Sequence, residues 1–283
     1  MLVGAAGQLG QAFAHQAAKE GLRIEALDHA TLDVTDGAAV TRAAQKLRPD
    51  WIVNCAAFHN IDGCEKDPMR AELVNVQGPR NLASAARLTA ARLLHVSTDY
   101  VFDGTRTPPM DGVADRKHSY LPNDATAPVN HYGRSKAAGE AATRATLPDT
   151  LIVRVASLFG DGGARQKGGN FIDKIVTRAR SGEPVTVVDD QWMSPTWTTH
   201  AAQGMLNLMT HEATGTCHVT SGGACTWWEL ADEALRIRGL PPPQRSKVIP
   251  GGTPRPRNSS LVAPGFPGGW RQAVGSYLKD PHD

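Results

Sequence analysis

Near the middle of the chain, the stretch NHYGRSK sets Tyr132 four residues before Lys136. On a helix, positions i and i+4 lie one turn apart on the same face, so a phenol and an ammonium would point into one place. A free tyrosine titrates near pH ~10 and is a poor proton donor near neutrality. A cation one turn away favours the tyrosinate and tunes the group toward the working pH that proton transfer requires. Upstream, VSTDYVFDG closes an apolar run with Thr98, whose hydroxyl can donate to a carbonyl oxygen. Taken singly, Tyr132 is equally a solvated aromatic at a helix start, and Thr98 a plain strand-end threonine.

A second group of residues could hold a nucleotide. GAAGQLG supplies Gly4, Gly7 and Gly10 between a strand and a helix, where glycines allow a tight turn and close approach to a pyrophosphate. The helix beginning at Gln8 and Leu9 would offer free N–H groups and a partial positive charge to phosphate. Asp28 ends the second strand about 20 residues further on, where a carboxylate can bond a ribose diol and repel a 2′-phosphate. This favours NADH slightly over NADPH, unless a protonated His29 softens the preference. Asp28 could instead cap a turn. Asp33, in LDVTD, either reaches the adenine edge or helps start the next helix. Ala56 and Ala57 keep a strand end small enough for a flat cofactor, or simply pack. Asn75, in ELVNVQG, is either part of a proton relay from Lys136 or a locally satisfied helix residue.

The elements that must position these groups follow from periodicity. MLV at 1–3, 23–27, 51–57, 92–98 and 150–156 read as strands, and 8–20, 36–48, 68–90 and 133–147 as helices. Near-continuous apolar strands alternating with helices indicate a parallel sheet covered on both faces. The first strand is short for its place. After residue 160 the pattern loosens, with short strands expected at 185–190 and 216–221, helices at 170–181, 198–211 and 226–238, and a Pro- and Gly-rich stretch at 250–270. The reading is a dinucleotide-binding domain over 1–160 and a smaller, irregular substrate lobe over 161–283, with some interleaving.

Bulk properties exclude several classes. The 283 residues are 41% hydrophobic and 20% charged, with a net charge of +2 spread along the chain. That leaves enough apolar material for a core and no basic face for nucleic acid. Cys55, Cys64, Cys217 and Cys225 form no CxxC pair and no metal-like group with histidine, so no metal site is expected. With no apolar run of about 18 residues and no signal-peptide pattern, a cytoplasmic protein without membrane association is expected.

In order along the chain, GAAGQLG, VNCAAFHNIDGCE, VNVQGPRNLA, VSTDYVFDG, PVNHYGRSKAAGE, DDQWMSPTWTTHAA, TWWELA and TPRPRNSSL resemble motifs of the extended short-chain dehydrogenase/reductase superfamily. More narrowly, the chain is similar to the dTDP-4-dehydrorhamnose reductase family of nucleotide-sugar reductases over nearly its whole length. The resemblance implies a Rossmann-like, doubly wound parallel sheet with a smaller α/β substrate lobe. It implies NADH or NADPH as cofactor and a 4-keto-6-deoxy sugar nucleotide as substrate. Thr98, Tyr132 and Lys136 would be the reductase triad, with Tyr132 protonating the alkoxide left by hydride delivery to C4 and Thr98 assisting by a hydrogen bond. His59 and Asn60 of FHNID, together with Asp99, would sit beside the sugar, and 194–197 with Arg257 would help form the substrate lobe.

Three departures bear on the sugar. Ser157, in RVASLFG, stands where the family often has tryptophan; residues 105–128 carry an enlarged loop; and SSLVAPGFPGGW is short for a helix-bearing segment. A homodimer is compatible with this family. Two other readings stay open: a related epimerase or dehydratase, for which Asp99 is a partial cue, and a non-catalytic subunit like the regulatory subunit of methionine adenosyltransferase.

Overall fold

The computed structural model describes residues 1–162, 169–248 and 251–279. The first half runs β1 (Leu2–Val3), α1 (Gln8–Lys19), β2 (Ala26–Leu27), α2 (Gly37–Leu47), β3 (Trp51–Asn54), α3 (Ile61–Lys66), α4 (Pro68–Glu72), a π-helical turn (Leu73–Gln77), α5 (Gly78–Thr89), β4 (Arg92–Thr98), a 3-10 turn (Asp99–Val101), α6 (His131–Thr146) and β5 (Leu151–Val155). The second runs β6 (Leu158–Phe159), α7 (Phe171–Arg180), β7 (Thr186–Val188), β8 (Trp192–Met193), β9 (Thr196–Trp197), α8 (Thr198–Thr210), β10 (Gly215–His218), β11 (Cys225–Thr226), α9 (Trp227–Ile237), β12 (Gln244–Ser246) and α10 (Gly269–Lys279).

Six strands form one parallel sheet in the order β2-β1-β3-β4-β5-β10. The chain starts at β1, goes outward to β2, then returns to β3 on the other side. The strand order therefore reverses between β1 and β3, which is where open α/β sheets bind ligands. One face buries Leu9, Phe13, Leu94, Val153 and Met205, with α1 packed on α8. The other buries Val40, Ile52, Leu82 and Leu93 under α2 and α5. Full burial of each large apolar side chain stabilises the fold by roughly 1.5–3 kcal/mol. The C-terminal lobe has its own core, in which α7, α9 and α10 bury Ile172, Leu230, Leu235 and Trp270.

Several expected boundaries move. β3 stops at Asn54 because that side chain turns back to accept the Ala56 N–H at 3.0 Å. The helix expected over 68–90 is broken by the π turn. Pro79 has no N–H to give the Asn75 carbonyl, and the Gly78 N–H bonds Leu73 O instead. Strands expected at 23–27, 185–190 and 216–221 shrink or shift to 26–27, 186–188 and 215–218, while α3 arises where no helix was expected. The Pro- and Gly-rich stretch leads into α10, which packs on α9.

Candidate active site

The glycine loop forms a cradle. Gly4, at φ +78°, lies against the end of β3 so closely that a Cβ would come 2.5 Å from the Ala56 nitrogen. At Gly10 a Cβ would meet the Gly4 carbonyl at 2.4 Å. Gly7 caps α1 without any side-chain bond, leaving its first N–H groups free, and the buried Nε2 of Gln8 makes no hydrogen bond. Unspent donors at a helix start, around a floor that tolerates only glycine, fit a dinucleotide pyrophosphate.

The carboxylates at the adenosine end are engaged locally. Asp28 Oδ1 accepts the Thr31 N–H and hydroxyl at 2.9 and 2.8 Å, which holds its carboxyl below the ordinary range. Asp33 does the same with Thr35 at 2.9 Å, and α2 is capped by Asp36 instead. Ala56 and Ala57 line the end of β3, half-buried.

α6 seats the phenol. Its cap, Asn130, is fully buried, accepts the Gly133 N–H at 2.8 Å, and donates through Nδ2 to Pro254 O at 2.9 Å. The His131 N–H donates to Glu65 at 2.6 Å. Gly133 lets the helix rest on the 3-10 turn, since a Cβ there would meet the Tyr100 carbonyl at 2.1 Å. Tyr132 thus lies edge-on to Tyr100, ring centroids 6.0 Å apart, with its hydroxyl hydrogen-bonded to Thr98.

Lys136 is 2% exposed, and its ammonium donates to Val96 O at 2.7 Å. Burial pushes it down to about 8, opposed by Glu140 one turn away. The expected downward tuning of Tyr132 by Lys136 is corrected here. Burial raises the phenol, the Thr98 hydrogen bond lowers it, and Asp99, Cys64 and Tyr100 add to the rise. The ammonium is spent on the β4 backbone.

Asn75 is fully buried in the π turn. Its Oδ1 accepts the Phe58 N–H at 2.8 Å, and its Nδ2 donates to Phe58 O and Ser135 Oγ at 2.9 Å. It clamps the loop after β3 to α6.

The chain matches the family described as RmlD substrate binding domain over residues 1–279. It belongs to that family. It is 41% identical to a dTDP-4-keto-6-deoxy-D-glucose reductase of Streptomyces niveus, covering 92% of this chain and 87% of that one. Identity to a dTDP-4-dehydrorhamnose reductase of Streptomyces griseus is 39%, covering 92% and 84%. Its fold matches a Bacillus anthracis dTDP-4-dehydrorhamnose reductase solved with NADP, at a TM-score of 0.87 and 30% identity over 99% and 98% of the two chains.

In this RmlD-family chain the remaining candidates divide by place. Thr98 is buried beside Tyr132, and Asp99 is buried immediately after it. Asn60 is exposed and caps α3 through a 2.8 Å bond from the Gly63 N–H, and His59 is exposed beside it. Ser157 is half-buried at φ +42°, a left-handed conformation uncommon outside glycine. Arg257 is exposed. The neighbouring Arg255 is the one that faces the site, hydrogen-bonded to Tyr100 and 3.9 Å from Asp62.

Arg255, Asn130 and Ser259 were not singled out by type or spacing. Ser259 Oγ donates to Asp99 Oδ2 at 2.5 Å. All three lie inside quoted motifs, and that was the only signal they carried. The loop at 105–128 holds the segment that brings Ser259 in. Asn258 Nδ2 donates to His118 O at 2.7 Å, the Tyr120 N–H donates to Ser260 O at 2.8 Å, and Arg106 pairs with Asp124 at 2.7 Å. The Ala224 N–H bonds Gly112 O at 2.8 Å, tying the loop to the C-terminal lobe. Among the described residues, no helix is long and apolar enough to cross a membrane.

Proposed function

We propose that the protein is a nucleotide-sugar 4-ketoreductase that uses a reduced nicotinamide cofactor on a dTDP-4-keto-6-deoxyhexose. The observation that carries this reading is the Thr98–Tyr132 hydroxyl pair beside buried Lys136, next to the glycine cradle, in a chain of this family. Residues 1–160 would hold the cofactor and 161–283 would supply most of the sugar-nucleotide side.

Gly4, Gly7 and Gly10 with the start of α1 at Gln8 and Leu9 would hold the pyrophosphate, and Asp28 and Asp33 the adenosine end. When bound, the cofactor supplies the hydride for C4. Tyr132 gives its phenolic proton to the oxygen that becomes the C4 hydroxyl, breaking O–H on the tyrosine and forming O–H on the sugar. Thr98 fixes the phenol's direction. Lys136, held through Val96 O, would place a cation at the ribose side of the cofactor. Arg255 places a guanidinium where the substrate's diphosphate would approach.

The Asp28 carboxylate supports NADH over NADPH by repelling a 2′-phosphate. The intact hydroxyl pair favours an enzyme over a scaffold, and Asp99 without a second adjacent carboxylate favours a reductase over a dehydratase. The test is oxidation of NADH and NADPH by purified protein supplied with dTDP-4-keto-6-deoxy-L-mannose. Turnover that vanishes in Tyr132→Phe supports the reading. Turnover equal in the two proteins refutes it.

A further inference from the structure

Asp99 is 2% exposed, and its carboxylate is held only by neutral donors. Thr98 Oγ1 donates to Oδ1 at 3.0 Å and Ser259 Oγ to Oδ2 at 2.5 Å, with the backbone N–H groups of Asp99 and Tyr100 completing the set. No cation pairs with it among the described residues. The Lys136 ammonium is committed to Val96 O, and the Arg255 guanidinium faces Tyr100. A buried charge without a counter-ion is costly, so its position next to Thr98 calls for an electrostatic reason.

The phenol of Tyr132 is the nearest group with chemistry to perform. The titratable groups around it are Asp99 and Tyr100 on the 3-10 turn, Cys64 on α3 and Lys136 on its own helix, with Arg255 reaching in against Tyr100. A bound nicotinamide cation favours a phenolate, whereas burial of the ring opposes it. A phenolate has no proton to give an alkoxide, so a further influence on the side of burial serves a reductase.

We propose that Asp99 is a positioning residue whose unneutralised carboxylate, one hydrogen bond beyond Thr98, keeps Tyr132 in the phenol form and biases the site toward proton donation. Its consequence for turnover rests on the reductase reading, while the electrostatic effect does not. Burial raises the Asp99 carboxyl to about 6, so its charge is present at neutral and alkaline pH, where it adds to the effect of burial on the phenol. The same geometry engages the Thr98 hydroxyl with Asp99 at 3.0 Å, so the group that lowers the phenol is itself held by the carboxylate that raises it.

The chain has four tyrosines, so tyrosine labelled with 13C at Cζ gives few NMR signals, and Tyr132→Phe assigns the one of interest. The titration is followed from about pH 7 to about pH 11 with oxidised cofactor bound. In Asp99→Asn, the Tyr132 midpoint should fall by about 1 pH unit or more relative to the parent. In Ser259→Ala it should stay at the parent value, because Asp99 is still ionised at alkaline pH. Coincident parent and Asp99→Asn curves, including a phenol that persists in both, overturn the proposal. So does a Ser259→Ala shift as large as that of Asp99→Asn. With the keto sugar, the alkaline limb of reduction should move down alongside the NMR midpoint. An NMR shift in a protein without sugar turnover refutes the reductase reading and leaves the Asp99 effect standing. Turnover whose alkaline limb ignores Asp99→Asn overturns the Asp99 effect alone.

Discussion

Replacing Asp99 by asparagine should make the protein more stable above neutrality and leave it little changed in acid. The carboxyl is raised from 3.8 to about 6 by burial, against the opposing hydrogen bonds from Ser259 and Thr98. A carboxyl raised by folding binds its proton more tightly in the native state. Ionisation therefore costs nothing well below the unfolded value and reaches its full cost as pH rises past about 6. A displacement of about two units corresponds to roughly 3 kcal/mol at pH ~7.5 and to less than about 1 kcal/mol at pH ~4. The pH-dependent part, roughly 2–3 kcal/mol, is what Asp99→Asn removes. The carboxamide keeps one acceptor oxygen for two hydroxyl donors, which subtracts about 1 kcal/mol at every pH. Urea unfolding of parent and variant at the two pH values reads the difference directly. A stability difference that is the same at both would refute the claim that Asp99 is buried as a charge.

Three further outcomes follow from the geometry. Tyr132→Phe should lower keto-sugar turnover by about 10²–10⁴-fold while cofactor affinity, measured by fluorescence, stays near that of the parent. Glu140→Gln should cost about 3–5 kcal/mol in urea unfolding, because Arg154 is bound to both Glu140 oxygens at 2.8 and 2.7 Å and both side chains are only 3% exposed. A Glu140→Gln cost of a few tenths of a kcal/mol would show that the pair is not what holds α6 on β5. Ser157→Gly should raise stability by about 1 kcal/mol by relieving φ +42°, and a loss of stability in that variant would mean the serine side chain contributes contacts worth more than the strain.

The frame was legible because alternation of apolar runs with helical patterns is repeated, and each repeat adds to the same conclusion. Gly4 and Gly10 were legible for the same reason: their place between a strand and a helix gives them a use. The exact extent of the strands was not. β3 ends at Asn54 through a side-chain bond to Ala56, and the π turn arises from Pro79 three-dimensionally opposite α6, where Asn75 meets Ser135. Such endings depend on partners distant in sequence. Tyr132 and Lys136 were found by their spacing, but the direction of the phenol's shift was not, because spacing reports only the lysine. It is silent on burial and on Asp99, both of which act in the opposite sense. Arg255 carried no signal of its own in the sequence, because only the path of the backbone past Gly104 brings it to Tyr100.

That path also joins the two halves of the chain at the chemistry. Pro254 O receives the side chain of Asn130, Arg255 meets Tyr100 and Asp62, Ser259 holds Asp99, and Ser260 O accepts the Tyr120 N–H. Tyr132 and its helix pack with the sheet, whereas Pro254, which receives the side chain of its cap, and Ser259, which holds Asp99, arrive from the C-terminal half. The loop at 105–128 fastens that strip in place through His118 O and Tyr120. A change in the loop therefore has two separable effects: it alters the surface a sugar meets, which changes KM between sugars at a fixed pH, and it shifts Ser259 against Asp99, which moves the pH at which that carboxyl ionises whatever the sugar.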